Sequence, residues 1–172
     1  MATTETDQST NGGLLGTEGY APGEDRPLRH YAVMSTVFAA GLAGAVVAGR
    51  RSGRLPERIP AADIVVMGVA THKISRVISK SKIGGFFRAP FTRFEGTTGQ
   101  GEVSERARGT GARYAIGELL LCPYCLSQWT SAGLLGGYMA EPRVVRFLSS
   151  IYTAQTIADF LQLGYYASEQ RA

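Results

Sequence analysis

Residues 31–49 read YAVMSTVFAAGLAGAVVAG, a run of nineteen residues without a charged side chain. A helix rises ~1.5 Å per residue, so this run approaches the ~20 residues needed to cross a hydrocarbon core of ~30 Å. Basic residues flank it on both sides, with Arg29 before it and Arg50 and Arg51 after it. The run therefore predicts a first transmembrane helix, which we place at 28–50, and an integral membrane protein.

The composition of the whole chain limits the kinds of protein that it can be. The 172 residues include 18 Lys and Arg against 14 Asp and Glu, a net charge of +4. Basic residues gather at the cytoplasmic loops of membrane proteins, so this modest excess does not predict a nucleic-acid partner. Two cysteines exclude a disulfide-stapled scaffold. Residues 1–27 have few large apolar side chains and predict a disordered cytoplasmic tail.

A second apolar segment, residues 61–79, follows Pro60, a residue favoured at helix starts. Its second half carries His72, Lys73 and Arg76. Such a segment can cross the membrane with its basic end in the headgroups, or lie on the surface as an amphipathic helix. Both alternatives remain open on the pattern alone.

Two later segments, residues 114–140 and 144–166, are joined by a tight turn and predict an antiparallel helical hairpin. With the second segment they form a membrane domain at 61–166, followed by a short tail at 167–172. The expected fold is an all-α membrane bundle of four transmembrane helices, or of three and one interfacial helix. Four spans place both chain ends on the same side of the membrane as the loop at 80–113. The excess of basic residues in that loop identifies this side as the cytoplasm.

That basic loop mixes Arg with Phe, which suits a stretch resting on anionic lipid headgroups. Asp159 lies in the last apolar segment. An ionisable group at membrane depth is costly unless paired, so we expect Asp159 to pair with Arg76, Lys73 or another protonatable group. The pair could fix the helix register or take part in a proton relay.

The most specific local motif is Cys122-Pro123-Tyr124-Cys125. It looks like the active site of a glutaredoxin, but the flanking residues predict membrane helices rather than the strands that such a fold needs. On one continuous helix, Glu118, Cys122, Cys125 and Trp129 are spaced by 4, 3 and 4 residues and share a face.

Three roles are open for the two cysteines. Two thiolates supply half of a tetrahedral zinc or iron site, and His72 is a candidate third ligand. They could instead form a thiol redox pair, or pack as small apolar side chains. Both topologies place Cys122 and Cys125 near the reducing cytoplasm, so we expect them to stay reduced, without a tightly bound metal.

The chain also resembles a family of small bacterial membrane proteins of unknown function. The resemblance covers about 100 of the 172 residues, from Asp63 to about Gly164, and rests on the Arg88-Ala89-Pro90-Phe91 element and the segment from Glu118 to Trp129. It implies that residues 61–79 span the membrane. It also implies a shared site at Arg76, Arg88, Pro90, Phe91, Glu118, Cys122, Cys125 and Trp129.

These features favour a protein of the bacterial inner membrane that anchors or recruits a cytoplasmic protein partner. The sequence has no phosphate-binding loop, nucleophile elbow or zinc-protease helix, so catalysis is not expected. A membrane metal or thiol redox protein is the first alternative. A small oligomeric transporter is the second, since so short a chain would have to form a homo-oligomer.

Overall fold

The structure of the chain is a computed structural model that describes residues 20–21, 24 and 26–171. About 70% of the described residues are helical, which confirms the mostly helical fold. The predicted tail at 1–27 lies almost entirely outside the described residues. In chain order the elements are α1 (Leu28–Arg51), α2 (Ala61–Lys80), α3 (Gly85–Arg88), β1 (Thr92–Thr98), β2 (Glu102–Ala107), α4 (Gly111–Leu121), α5 (Pro123–Ala140) and α6 (Pro142–Glu169).

Among the described helices, α1 is the one that is long and apolar enough to cross a membrane. Only 6% of its apolar window is buried, and side chains such as Val33 and Val37 are exposed, unlike those of a core helix. Helices α2, α5 and α6 mix apolar with polar residues and do not reach the hydropathy of a span. The structure therefore has one candidate span, and the predicted four-helix membrane arrangement is not supported by the hydropathy of the other helices.

Helices α2, α5 and α6 pack together around a small core. Met67, Tyr138 and Val145 are buried against one another, one from each helix. At the edge of this core, Asp63 Oδ2 accepts hydrogen bonds from the Tyr138 hydroxyl at 2.6 Å and from Arg146 Nη2 at 2.7 Å. A single carboxylate thus ties the beginning of α2 to α5 and α6.

Polar contacts also fix the register of α2 against α6. Lys73 Nζ lies 2.5 Å from Asp159 Oδ2, which confirms that Asp159 pairs with a basic residue of the second segment. Thr153 Oγ1 donates to the Val66 carbonyl at 3.0 Å. Small buried residues, Ala70 on α2 and Ser149 on α6, suit the close approach of two helices.

The segment predicted as a basic loop, residues 80–113, contains the short helix α3 and an antiparallel β-hairpin. Strands β1 and β2 pair from Thr92 opposite Ala107 to Thr98 opposite Glu102, with an irregularity after Phe94. Gly99 and Gly101 adopt positive φ angles in the connecting turn, a conformation that glycine adopts without steric cost. Beside these glycines, Thr, Phe and Val alternate with charged or polar residues, a pattern that indicates a hairpin. The prediction of a basic loop gave weight only to the arginines of this segment.

The segment predicted as one helix at 114–140 is two helices, α4 and α5, which meet at Cys122. Cys122 has extended backbone angles, φ −98° and ψ 101°, and Pro123 is the first residue of α5. A residue before proline is driven away from helical angles by the proline ring, which explains the break. The prediction that Glu118, Cys122, Cys125 and Trp129 share one face of a continuous helix is therefore wrong.

Helix α4 lies directly on the hairpin. A Cβ atom added to Gly117 would lie 2.6 Å from the Phe91 carbonyl oxygen and 3.0 Å from the Ala107 Cβ. Gly117 thus permits a close backbone approach that a larger residue would block. This contact holds the end of β2 next to the residues that precede Cys122.

Candidate functional site

A cavity of about 760 Å³ lies between α1, α4, α5 and the end of β2. Its volume is in the range of small-molecule binding sites. The residues that line it come from all four elements and include Tyr31, Phe38, Ala107, Glu118, Cys122, Cys125 and Trp129. The four residues of the predicted shared helix face therefore do come together, but around a cavity that spans two helices.

The two cysteines lie at the N-terminus of α5. Cys122 is the N-cap residue, and its Sγ accepts a hydrogen bond from the Cys125 backbone N–H at 3.1 Å. The structure joins Cys122 and Cys125 in a disulfide, with their Cα atoms 5.2 Å apart. The prediction that both cysteines stay reduced is therefore wrong for this structure. The break at Pro123 brings the two side chains together, because it releases Cys122 from the helix.

Helix N-termini favour negative charge, since their free backbone N–H groups point outward and the helix dipole is positive there. When the disulfide is reduced, Cys122 Sγ is already placed to accept a hydrogen bond from such an N–H group. Cys125 is the more exposed of the two residues. The pair therefore combines one sulfur at a helix N-terminus with a second residue that is exposed.

Glu118 forms the polar wall of the cavity. One carboxylate oxygen accepts a hydrogen bond from Arg26 Nη1 at 3.0 Å, and the other accepts from the Tyr31 hydroxyl. The Glu118 charge holds the pKa of Arg26 above its ordinary value. On the apolar wall, the rings of Phe38 and Trp129 meet edge to face at 5.1 Å. Sequence reasoning missed Arg26 and Tyr31, since it interpreted the start of α1 only as a membrane flank.

The structure does not assemble the predicted metal site. His72 lies at an exposed position of α2 and does not form a ligand group with the two cysteines at the beginning of α5. Within residues 20–21, 24 and 26–171, no three His, Cys, Asp or Glu side chains are grouped closely enough to hold a metal ion. The two sulfurs are instead bonded to each other.

Arg88, another predicted site residue, forms a buried ion pair outside the cavity. Its side chain is 0% exposed and that of Glu105 is 6% exposed. Arg88 Nε and Nη2 donate to the two Glu105 carboxylate oxygens at 3.0 and 2.8 Å, and Nη1 donates to the Ile78 carbonyl at 2.6 Å. Thr92 Oγ1 lies 2.6 Å from Glu105 Oε2. We refer to Arg88, Glu105 and Thr92 as the hairpin lock, because they join α2, α3, β1 and β2.

The other predicted site residues have structural contacts. The Pro90 carbonyl accepts from Arg113 Nε at 2.8 Å, and the Phe91 carbonyl accepts from the Arg108 backbone N–H at 3.0 Å. Arg76 forms a two-pronged pair with Glu102 at 2.6 and 2.9 Å rather than a pair with Asp159. These contacts position the hairpin, whereas Glu118, the cysteines and Trp129 form the cavity.

The hairpin lock gives the fold a defined dependence on pH. Hydrogen bonds from Arg88 hold the pKa of Glu105 below its usual value, and Thr92 adds to the effect. The stability that this carboxylate contributes is present above its unfolded pKa, about 4.3, and is lost as the pH falls through the lowered folded value. We expect Glu105→Gln to lower the thermal unfolding midpoint at pH 7, and the difference from the native chain to shrink as the pH falls below the unfolded pKa of about 4.3.

The matched control for this titration is Glu102→Gln, which alters a more exposed ion pair with Arg76. It should change the midpoint little at any pH, because exposed pairs contribute only about 0–1 kcal/mol. A Glu105→Gln deficit that stayed constant from pH 7 to pH 3 would mean that ionisation of Glu105 is not what stabilises the hairpin.

Comparison with known proteins places the chain in a family. No curated protein and no solved structure matches it. One family, described as a protein of unknown function (DUF1360), matches residues 66–165. The matched region begins within α2 and includes α3, the hairpin, both cysteines and most of α6, whereas α1 precedes it. The family of unknown function expected from the sequence is thereby confirmed: the chain is a member of the DUF1360 family.

Proposed function

We propose that this protein is a thiol–disulfide redox protein whose reactive pair is Cys122 and Cys125. The observation that carries the proposal is the position of Cys122 as the N-cap of α5, disulfide-bonded to Cys125 in the wall of a cavity of about 760 Å³. A disulfide that serves only to staple a fold has no need of a helix N-terminus or of an adjoining cavity. Reactive cysteine pairs depend on both features, because the thiolate must be stabilised and accessible.

The reaction follows from the two environments. A thiolate of a substrate dithiol attacks Cys125 Sγ, the bond between the two sulfurs breaks, and Cys122 leaves as a thiolate stabilised by the α5 N-terminus. The second substrate thiolate then attacks the substrate sulfur of the mixed disulfide and releases Cys125 as a thiolate. The substrate gains a disulfide, the protein gains two thiol groups, and two electrons pass between them. The reverse sequence reduces a substrate disulfide.

A redox titration of the full-length protein tests this proposal. The protein in mild detergent would be equilibrated with thiol–disulfide buffers of stepped potential, and free thiols trapped with a maleimide that adds mass. We expect both thiols to appear in one two-electron transition, with a midpoint between about −120 and −270 mV, the range of redox-active pairs. The double variant Cys122→Ser, Cys125→Ser should show no shift.

Two results would overturn the redox proposal. A disulfide that is still intact below about −300 mV would be a structural one. About one zinc or iron ion per reduced chain, lost in the double serine variant, would identify the pair as metal ligands and favour a metal-binding function.

A second proposal concerns location: we infer that the protein resides in the bacterial inner membrane, with α1 as its anchor. The exposed apolar side chains of α1 support an anchor. Recruitment of a cytoplasmic protein partner, which the sequence predicts, is a separate proposal. Helix α6 supports additional contact with lipid, because Phe147, Ile151, Ile157 and Phe160 are all exposed. Extraction of native membranes with alkaline carbonate should leave the protein in the pellet, and its release would reject the anchor.

A further inference from the structure

The region that follows α2, from Ile83 in the turn through α3 to Phe94 on β1, presents large apolar side chains to the outside. Ile83 is 89% exposed, Phe86 75%, Phe87 70% and Phe94 62%. The Phe86 and Phe87 rings lie against each other at 4.5 Å, and Phe94 lines a neighbouring groove together with Lys82 and Gly85. We call Ile83, Phe86, Phe87 and Phe94 the aromatic tip.

The fold holds the aromatic tip in this exposed position. Arg88 follows Phe87 directly, and its guanidinium is fully buried in the hairpin lock. A Cβ atom on Gly84 would lie 2.7 Å from Arg88 Nη1 and 3.0 Å from the Val77 carbonyl, so the chain is tightly packed behind the tip. The usual partition is thus inverted, with the arginine inside and the phenylalanines outside. Exposure of phenylalanine to water is unfavourable, so a rigid arrangement of this kind indicates a surface that is covered in use.

The charges around the tip identify what covers it. Glu95, Glu102 and Glu105 of the hairpin each have an arginine partner within the described residues. Lys82 and Arg93, both exposed, form no ion pair in the described part of the chain. Lys82 lines the same groove as Phe94, whereas Arg93 lies on the opposite face of β1, since successive side chains of a strand alternate. The hairpin region around the exposed rings therefore carries unpaired positive charge on both faces, which complements an anionic bilayer surface.

The tip also lies on a body that adjoins the candidate span at its N-terminal end. Arg106 and Ala107 at the end of β2 line the same cavity as Tyr31 in the first turn of α1. That end of α1 is where a spanning helix leaves the hydrocarbon core. The hairpin is consequently held near the headgroup region, where aromatic side chains are favoured.

We propose that the aromatic tip inserts into the anionic leaflet at the N-terminal end of α1, with Lys82 and Arg93 on the lipid headgroups. This inference rests on the membrane location proposed above and gives the hairpin a role in it. The insertion would hold the hairpin, and through Gly117 the helix that leads to Cys122, at a fixed height on the membrane surface.

Fluorescence quenching in vesicles tests the insertion. The single tryptophan would be removed by Trp129→Phe and a reporter introduced by Phe87→Trp in the full-length chain. In vesicles of phosphatidylcholine with phosphatidylglycerol, we expect blue-shifted emission from position 87 and loss of most of it to nitroxide-labelled lipids. The added change Lys82→Glu, Arg93→Glu should restore much of the emission. The control Arg54→Glu, Arg143→Glu, an equal change of charge at other exposed positions, should not.

The outcomes separate this inference from the anchor proposal. If carbonate leaves the protein in the vesicles but the tryptophan at position 87 is quenched by aqueous iodide and not by labelled lipid, the tip faces water or a protein partner and the inference is wrong. If carbonate releases the protein but lipid quenching was seen beforehand, the tip binds lipid and the anchor proposal is wrong.

Discussion

Replacing Arg88 with Met is expected to destabilise the hairpin and its junction with α2 by about 3–5 kcal/mol, the cost of leaving one member of a buried ion pair without its partner. The Glu105 carboxylate would stay in a site where it is 6% exposed and would keep only Thr92 as a hydrogen-bond donor from the lock. Two backbone carbonyls, those of Ile78 and Ser81, would also lose a donor. A loss of this size is a large part of the total stability of a small domain.

Limited trypsin digestion measures this loss without requiring global unfolding. Cleavage after Arg93 and Arg106 depends on opening of the hairpin, whose open population should rise by about 200- to 5,000-fold in Arg88→Met. Arg88→Lys should give an intermediate result, because lysine keeps the charge but lacks the planar fork. The matched control is Arg76→Met, which removes a half-exposed partner of Glu102 and should cost no more than about 1 kcal/mol. Equal cleavage of Arg88→Met and Arg76→Met would disprove the hairpin lock.

The helices were largely predictable because their signals are local. The uncharged run at 31–49 predicts α1, and the structure extends it only to Leu28 and Arg51. Pro60 marks the start of α2, and Pro142 marks the start of α6. Each of these signals lies within the element or directly before it. The number of membrane spans is a different matter, because it depends on which faces of α2, α5 and α6 meet lipid.

The hairpin lock was not predictable in the same way. Its ion pair joins residues 17 positions apart, and it exists only because α3 and β2 meet in the folded chain. In the sequence, Arg88 is one of many basic residues between 80 and 113, and burial of a guanidinium is rare enough that exposure is the natural expectation. The Gly99-Gln100-Gly101 turn was the available clue to the strands on either side of it.

For the cavity, the sequence indicated the right residues with the wrong geometry. Glu118, Cys122, Cys125 and Trp129 were grouped by helical spacing, although the backbone leaves the helix at Cys122. The proline rule predicts that break, and applying it would have placed Cys122 at a helix N-terminus. Arg26 and Tyr31 belong to the site because α1 packs beside α4, a contact that no local pattern encodes.

That helix N-terminus leads to an asymmetry between the two single-cysteine variants. Each of them, Cys122→Ser and Cys125→Ser, should lose two-electron cycling completely, because neither can form the internal disulfide. They should differ in how the remaining thiol responds to pH. Cys122 occupies the N-cap of α5, where its sulfur accepts the backbone N–H of residue 125, whereas Cys125 lies more exposed in the first turn.

Alkylation by iodoacetamide at pH 6 and at pH 9 measures this difference, since only the thiolate reacts. The ratio of the rate at pH 6 to that at pH 9 cancels differences in access and in intrinsic nucleophilicity. We expect this ratio to be about 3- to 30-fold higher for Cys122 in the Cys125→Ser variant than for Cys125 in Cys122→Ser, the equivalent of about 0.7–2 kcal/mol of stabilisation at a helix N-terminus. In guanidinium chloride the two ratios should become equal, because the helix is gone. A higher ratio for Cys125 in the folded protein would mean that Cys125, and not Cys122, is the stabilised thiolate. The proposed order of attack would then be reversed.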